Sequence, residues 1–432
     1  MRTIAIIADD LTGAADTGIQ FVYAGLRSLV LLDPRAAGLP PADVLVGVTD
    51  SRQDSPEVSR RKVTHWAQVM AAYHPTEVYK KIDSTLRGNP GAELDACMDG
   101  FPGRIAVFAP AYPAAGRTTI NGQHLLHGRP LEETEVSHDP TTPVRESRLL
   151  PLLAAQTPRR IAQIRLADLE AGADNLARIL HQRLADGAEI LVSDAVTDQH
   201  LADLVAGVRS LGRPLLWTGS AGLARHVLPV KATTRLAVPV PLAHPLLAFA
   251  GSVSQTLRRQ VAYYCRSTGA ACITADANVL TGAGAEAEAE VRRVAAEALG
   301  WLRAGRSTVV TTSLPSGSVQ VSGPEMVAAA RTISDRLGAA ARAILAEGWY
   351  GPLFLSGGDT ALGVCHQLGA AGIRLHQELL SGIALGTLVD GPYEDLPVIT
   401  KAGSFGAEDV LCQISQIALP AHRAADHSVR KG

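Results

Sequence analysis

The sequence predicts an α/β protein of two domains, each a mostly parallel sheet flanked by helices, with the site in the cleft between them. Three observations carry this. Short apolar runs rich in β-branched residues alternate with stretches of helical spacing along the chain. The first such run, Ile4-Ala5-Ile6-Ile7, passes straight into a polar turn and then a helical pattern, which is half of a βαβ unit. A proline-rich break then divides a chain of 432 residues, more than one hydrophobic core usually serves.

In the first half, strands are predicted at 28–32, 44–48, 77–82, 104–109, 189–192 and 214–217, with helical patterns between several of them, as at 57–73 and 173–185. Many of these strands end in polar or reactive groups: Asp9-Asp10, Asp50-Ser51-Arg52, Asp83-Ser84-Thr85, Ser193-Asp194 and Thr218-Gly219-Ser220. Parallel strands would gather such groups on one rim, where ligands of open α/β sheets sit. The segment 111–143 has no clear period and is expected to fold over that rim or to make a subunit contact. Prolines at 229, 239, 241 and 245 place a linker at 229–245. The expected division is therefore 1–228, the linker, a second domain at 246–421, and a polar tail at 422–432. In that second domain strands are predicted at 246–250, 307–312, 352–355 and 396–400, and long helices at 286–303 and 325–347.

Bulk properties narrow the class. A formal charge of −2 gives no reason to expect nucleic acid or an anionic membrane as partner. No apolar run is long enough to span a bilayer, and the first residues enter a strand without a signal pattern, so the cytoplasm is expected. Five scattered cysteines fit reduced core positions. Of 40 basic residues only six are lysines, which makes those at strand ends (Lys80, Lys81, Lys401) candidates for contacts that want a compact ammonium, such as phosphate.

Two sets of residues suit chemistry. Adjacent Asp9 and Asp10 suggest hydroxyl recognition, metal binding or proton transfer, while the plainer alternative has one of them capping the helix. On the strand leading to Asp83, Lys81 and Asp83 share a face and Lys80 points away. A cation beside a carboxylate suits a small hydroxylated acid, and Arg52 adds a bidentate clamp. An internal salt bridge is the competing account of the same residues. In the second half, Ser356-Gly357-Gly358-Asp359-Thr360 joins a strand to a helix. Glycines let backbone approach phosphate, and the helix start supplies free N–H donors. Without the Lys-Ser/Thr that follows the glycines in a Walker A loop, this turn alone is equally a capped tight turn. Gly251-Ser252-Val253-Ser254 and Lys401-Ala402-Gly403 are similar turns, and three together make a nucleotide pocket. His124 and His127 lack further ligands for a metal, so no protein-held metal site is expected.

These stretches resemble the four-carbon acid sugar kinases over nearly the whole length: IADDLTGAADTG, YKKIDSTLRGNPGAE, PAAGRTTINGQ, AGSVSQTLRRQ, SGGDTA and DLPVITKAGSFG. The resemblance implies an N-terminal domain for the sugar acid, a C-terminal domain for ATP, and phosphoryl transfer to a hydroxyl. It assigns Asp9 or Asp10, Arg52, Lys81, Ile82, Asp83 and Ser84 to the acid. Ser252, Ser254, Gly357, Gly358, Asp359, Thr360 and Gly403 are assigned to the nucleotide. Ser404 departs from the family's usual KAGGFG. Mg2+ held mainly by the ATP phosphates would offset charge, with Asp359 on the metal side. Asp83 is the first choice to orient or deprotonate the hydroxyl, with Asp9 and Asp10 as rivals. Closure about the linker would unite the substrates. A non-catalytic sugar-acid sensor and a hydroxy-acid oxidoreductase are the other classes. The glycine turns count against the first and the absence of Gly-x-Gly-x-x-Gly against the second. A homo-oligomer is compatible with all of this.

Overall fold

A computed structural model describes residues 3–36, 39–139, 141–228, 245–251, 254–312, 324–403 and 405–417. Residues 229–244 of the expected 229–245 linker, the 422–432 tail, Ser252 and Ser404 lie outside the described residues. By its internal contacts the chain divides into two compact units, 1–234 with 320–328, and 235–319 with 329–432.

The first unit contains β1 (Ile4–Ala8), β2 (Ser28–Leu31), β3 (Val44–Val48), β4 (Glu77–Lys81), β5 (Ile105–Ala109), the short β6 (Arg117–Ile120), β7 (Gln123–Leu126) and β8 (Arg129–Pro130), then β9 (Ile161–Ile164), β10 (Ile190–Ser193) and β11 (Leu215–Gly219). Every strand predicted for this half is present. Those seven and β9, which the sequence did not show, run parallel in the order β2-β3-β1-β4-β11-β5-β10-β9. All five residues of β1 are buried, as a strand covered on both faces requires. Register brings the carboxyl ends level: Ala8 pairs with Val48 on one side and Lys81 on the other, and Lys81 with Gly219. The order in which strands are added reverses at β1, whose neighbours are β3 and β4, so a crevice opens at its end. The helix Leu11–Val22 that follows β1 is buried along almost its whole surface.

β6, β7 and β8 form a small antiparallel sheet of their own. It lies in the stretch expected to be irregular. Its strands are two to four residues long and partly exposed, so neither period develops. It is stitched to the main sheet's rim, Thr119 pairing with Ala195 and Gln123 with Arg148.

In the second unit are β12 (Leu247–Ala250), β13 (Ala271–Ala275), β14 (Thr308–Thr312), β15 (Leu353–Ser356), β16 (Gly372–Leu380), β17 (Ile383–Val389) and β18 (Pro397–Lys401), ordered β13-β14-β12-β15-β18-β17-β16. The first five in that order are parallel, and β17 runs antiparallel to both β18 and β16. Helices Gln255–Thr268 and Val410–Gln416 cover one face, where Leu257, Val261 and Tyr264 meet Phe354, Leu385 and Ile399. Each such fully buried side chain contributes about 1.5–3 kcal/mol. No helix among the described residues is long and apolar enough to cross a membrane.

Candidate active site

At the crevice of the first unit, Asp9 and Asp10 leave β1 and do different work. Asp10 caps the helix: its Oδ1 accepts from Gly13 N at 2.8 Å and its Oδ2 from Thr12 Oγ1 at 2.8 Å. Arg52, brought up by the turn after β3, donates from Nε to Asp9 Oδ2 and from Nη1 to Asp10 Oδ2, both at 2.7 Å. Asp9 Oδ1 is buried and accepts no hydrogen bond; Lys81 Nζ stands 4.0 Å from it. Burial alone would raise the Asp9 pKa, but Arg52 and then Lys81 outweigh it and keep the carboxyl ionised. Gly13 makes room for this. A Cβ there would come within 2.5 Å of Asp10 Oδ1 and 2.7 Å of Lys81 Nζ.

Asp83 follows β4 and is fully engaged. Its Oδ2 accepts from Thr85 Oγ1 at 2.5 Å and Arg87 Nε at 2.8 Å, its Oδ1 from Arg87 Nη2 at 3.2 Å, and Arg52 Nη2 lies 3.8 Å away. Burial works against the charge, yet Arg87 and Arg52 hold this carboxyl well below the usual range. Arg87 also reaches Asp139, at 3.2 Å. Ile82 and Ser84, on either side of Asp83, are both buried.

Lys80 faces the other way. Fully buried, its ammonium pairs with Glu93 at 2.7 Å and donates to Lys81 O at 2.7 Å. Glu93 in turn accepts from Ser51 Oγ at 2.7 Å, which ties the Arg52 turn to the helix Pro90–Gly100. The internal salt bridge thus falls to Lys80, while the adjacent Lys81 places its ammonium beside Asp9.

Sequence reasoning passed over His124 except as a metal ligand. Buried in β7, it joins Thr119 Oγ1 through Nδ1 at 2.8 Å and the Ser84 carbonyl through Nε2 at 2.9 Å. Burial pushes its pKa down to about 4, so at neutral pH the ring is uncharged, with Nε2 as donor. Asp194 anchors the same hairpin, accepting from Asn121 N at 2.9 Å and Gly122 N at 2.8 Å. The clue lay in Asn121-Gly122, a two-residue hairpin turn with both residues at positive φ, 51° and 75°.

In the second unit three turns gather at the carboxyl ends of neighbouring parallel strands. Gly357 (φ 99°) leads from β15 into the helix Gly358–Gln367. The first intrahelical bond is Ala361 N to Gly357 O, so the N–H groups of Gly358, Asp359 and Thr360 precede it. Gly251, after β12, lies so close that a Cβ would meet Thr360 Oγ1 at 2.7 Å. Gly357 N donates to the carbonyl of Lys401, the last residue of β18, at 2.9 Å. Ser254 stands at the N-cap of the helix Gln255–Thr268, and Gly403 is half-buried beyond Lys401. Lys401 is not aimed outward as a phosphate ligand. It is fully buried, and its ammonium is spent on the carbonyls of Ala402, Gly403 and Phe405. Among the described residues no His/Cys/Asp/Glu cluster could hold a metal.

Residues 4–227 match the family model described as a sugar-binding N-terminal domain, and residues 247–411 the one described as a nucleotide-binding C-terminal domain. Over 420 residues the chain is 38 % identical to the D-threonate kinase of Salmonella typhimurium, covering 94 % of this chain and 96 % of that protein. It is 34 % identical over 433 residues to the D-erythronate kinase of Heliobacterium modesticaldum, covering 95 % and 96 %. A crystal structure from Salmonella typhimurium LT2 matches with a TM-score of 0.79 at 23 % identity, covering 96 % of this chain and 99 % of that one, and shares the fold. Sugar-binding half and nucleotide-binding half together define a carbohydrate kinase that acts on a sugar acid. The chain belongs to the four-carbon acid sugar kinase family.

Proposed function

We propose that this protein transfers the terminal phosphoryl group of ATP to the 4-hydroxyl of D-threonate, giving 4-phospho-D-threonate. The observation that carries the choice of acid is the 38 % identity to a D-threonate kinase across nearly all of both chains. In this reading the first unit binds the acid and the second the nucleotide. Arg52, Lys81 and the backbone about Ile82 and Ser84 receive the carboxylate and hydroxyls. Asp83 is already held by Arg87 and Thr85, so it orients the acid and fixes the cations around it. Asp9 has the one oxygen of the three aspartates described as buried without a hydrogen bond, and that oxygen takes the proton of the attacking hydroxyl. Its role is orientation more than strong basicity, in keeping with phosphoryl transfer, which depends mainly on positioning and charge neutralisation.

The backbone at Ser254, Gly357–Thr360 and Gly403 offers donors to the phosphates, a donor set that suits a nucleotide carrying its own metal ion. Mg2+ so carried supplies charge neutralisation, with Asp359 in the first helical turn as the nearby acid. A panel of D-threonate, L-threonate, D-erythronate and 3-oxo-tetronates with coupled ADP detection tests the reading. The highest kcat/KM is expected on D-threonate. Preference for D-erythronate would move the assignment to the acid named for the Heliobacterium relative, and no turnover of any tetronate would overturn it.

A further inference from the structure

The loop after β18 is held from behind by two buried side chains. Lys401 Nζ donates to the carbonyls of Ala402 at 2.8 Å, Gly403 at 3.2 Å and Phe405 at 3.0 Å. From the helix Gln255–Thr268, Gln260 Nε2 lies 3.0 Å from Phe405 O, 2.9 Å from Gly406 O and 3.0 Å from Ala407 O. Both side chains are 0 % exposed. Five carbonyls of one short loop are thus turned toward the same interior.

A trans peptide is planar, so the N–H of each residue opposes the carbonyl of the residue before it. Turning the carbonyls of Ala402, Phe405 and Gly406 inward therefore turns the N–H groups of Gly403, Gly406 and Ala407 outward. Those three N–H groups have no acceptor among the described residues. Gly406 sits at φ 88°, the left-handed conformation from which anion-binding nests are built. Among the described residues no carboxylate pairs with Lys401, and burial lowers its pKa to about 7, so an anion held on the outer side of the loop would favour its charged form.

We infer that Lys401 and Gln260 are positioning residues for the nucleotide's phosphate chain, turning the N–H groups of Gly403, Gly406 and Ala407 outward as a nest without touching the ligand. This rests on the nucleotide-binding role proposed above for the second unit. It adds Gln260, Gly406 and Ala407 to the machinery and gives Lys401 a place behind the loop.

The experiment compares the wild-type chain with Lys401→Met and Gln260→Leu by titration calorimetry with ADP and with adenosine, alongside steady-state KM values for both substrates. Each variant should weaken ADP by about tenfold, a loss of about 1.4 kcal/mol, while adenosine binding stays within about twofold of wild type. KM for ATP should rise and KM for the sugar acid should hold. A merely structural role would reduce the active fraction and leave both KM values and the ADP-to-adenosine ratio alone. Lys401→Arg, which keeps donors toward the carbonyls, should recover part of the ADP affinity. If Lys401→Met does not fold, Gln260→Leu decides by the same ratio. Wild-type protein that binds no nucleotide overturns the nucleotide reading and this inference with it. Wild-type binding with an unchanged ratio in the folded variants overturns the inference alone.

Discussion

Asp9 and Asp10 are adjacent in sequence and chemically unlike. Asp10 has its oxygens committed to Gly13, Thr12 and Arg52, whereas Asp9 keeps one oxygen unbonded. Asp9→Asn should therefore lower kcat at saturating acid by about 10²–10⁴-fold, the range of a lost proton acceptor. Asp83→Asn should act mainly on KM for the acid, because it releases Arg87 and Arg52. Steady-state kinetics with the acid varied separates the two, and equal kcat losses would return Asp83 to the chemistry. Gly13→Ala forces a methyl against Asp10 Oδ1 and Lys81 Nζ. Lys81 can swing aside, so the expected cost is about 1 kcal/mol of stability with a KM for the acid raised about tenfold. At this scale the sequence disclosed which residues meet but not their division of labour. That Asp10 caps and Asp9 does not depends on which side chain faces the first free N–H groups. That Lys80 finds Glu93, 13 residues on, depends on how a helix lies across a strand.

Among the elements, the β6–β7 hairpin contributes what periodicity concealed. His124 bonds the Ser84 carbonyl from a buried position, and its folded pKa of about 4 lies below the free value of 6.5. Between those values the unfolded chain binds a proton that the folded one refuses. The hairpin's contribution is thus complete above pH 6.5 and declines as pH falls toward 4. At pH 5 the loss is about 2 kcal/mol. Denaturant titrations of wild type and His124→Gln should show the gap between pH 7 and pH 5 shrinking by about that amount in the variant. In the second unit Gly357→Ala meets a φ of 99°, which side chains rarely adopt, and should cost about 1–3 kcal/mol by thermal or chemical unfolding. Parallel strands were legible because both faces are buried and their residues form unbroken apolar runs. β16 was not, since Arg374, His376, Gln377 and Glu378 interrupt it, and in β17 Gly386 and Thr387 split an otherwise apolar run. β13, which forms an edge, alternates buried and exposed residues over only five positions, too few to stand out.

For the whole molecule, the sequence disclosed two α/β halves because each repeats the same grammar: apolar strand, polar or glycine turn, helix. Each half has its own set of parallel strands and its own proposed ligand. Ligand bound at 100 times its Kd stabilises by about 2.7 kcal/mol, so D-threonate alone and Mg-ATP alone should each shift the melting curve. Hydrogen exchange should then slow around 9–13, 49–52 and 81–87 with the acid, and around 357–361 and 403–407 with the nucleotide. Acid-dependent protection confined to the second set would reverse the assignment of the halves.

The hairpin's attachment has a further consequence. It holds to the sheet through Asp194, which takes the two N–H groups of the turn at its tip, and through Ala195 and the Ser84 carbonyl, so the residues after β7 take no part in these contacts. Evolution could therefore recontour the stretch after the hairpin, 127–139, while Thr119, Asn121, Gly122, His124 and the eight-stranded scaffold stay unaltered. Preference among acids of one size would then diverge between sister enzymes faster than the catalytic framework that serves them all.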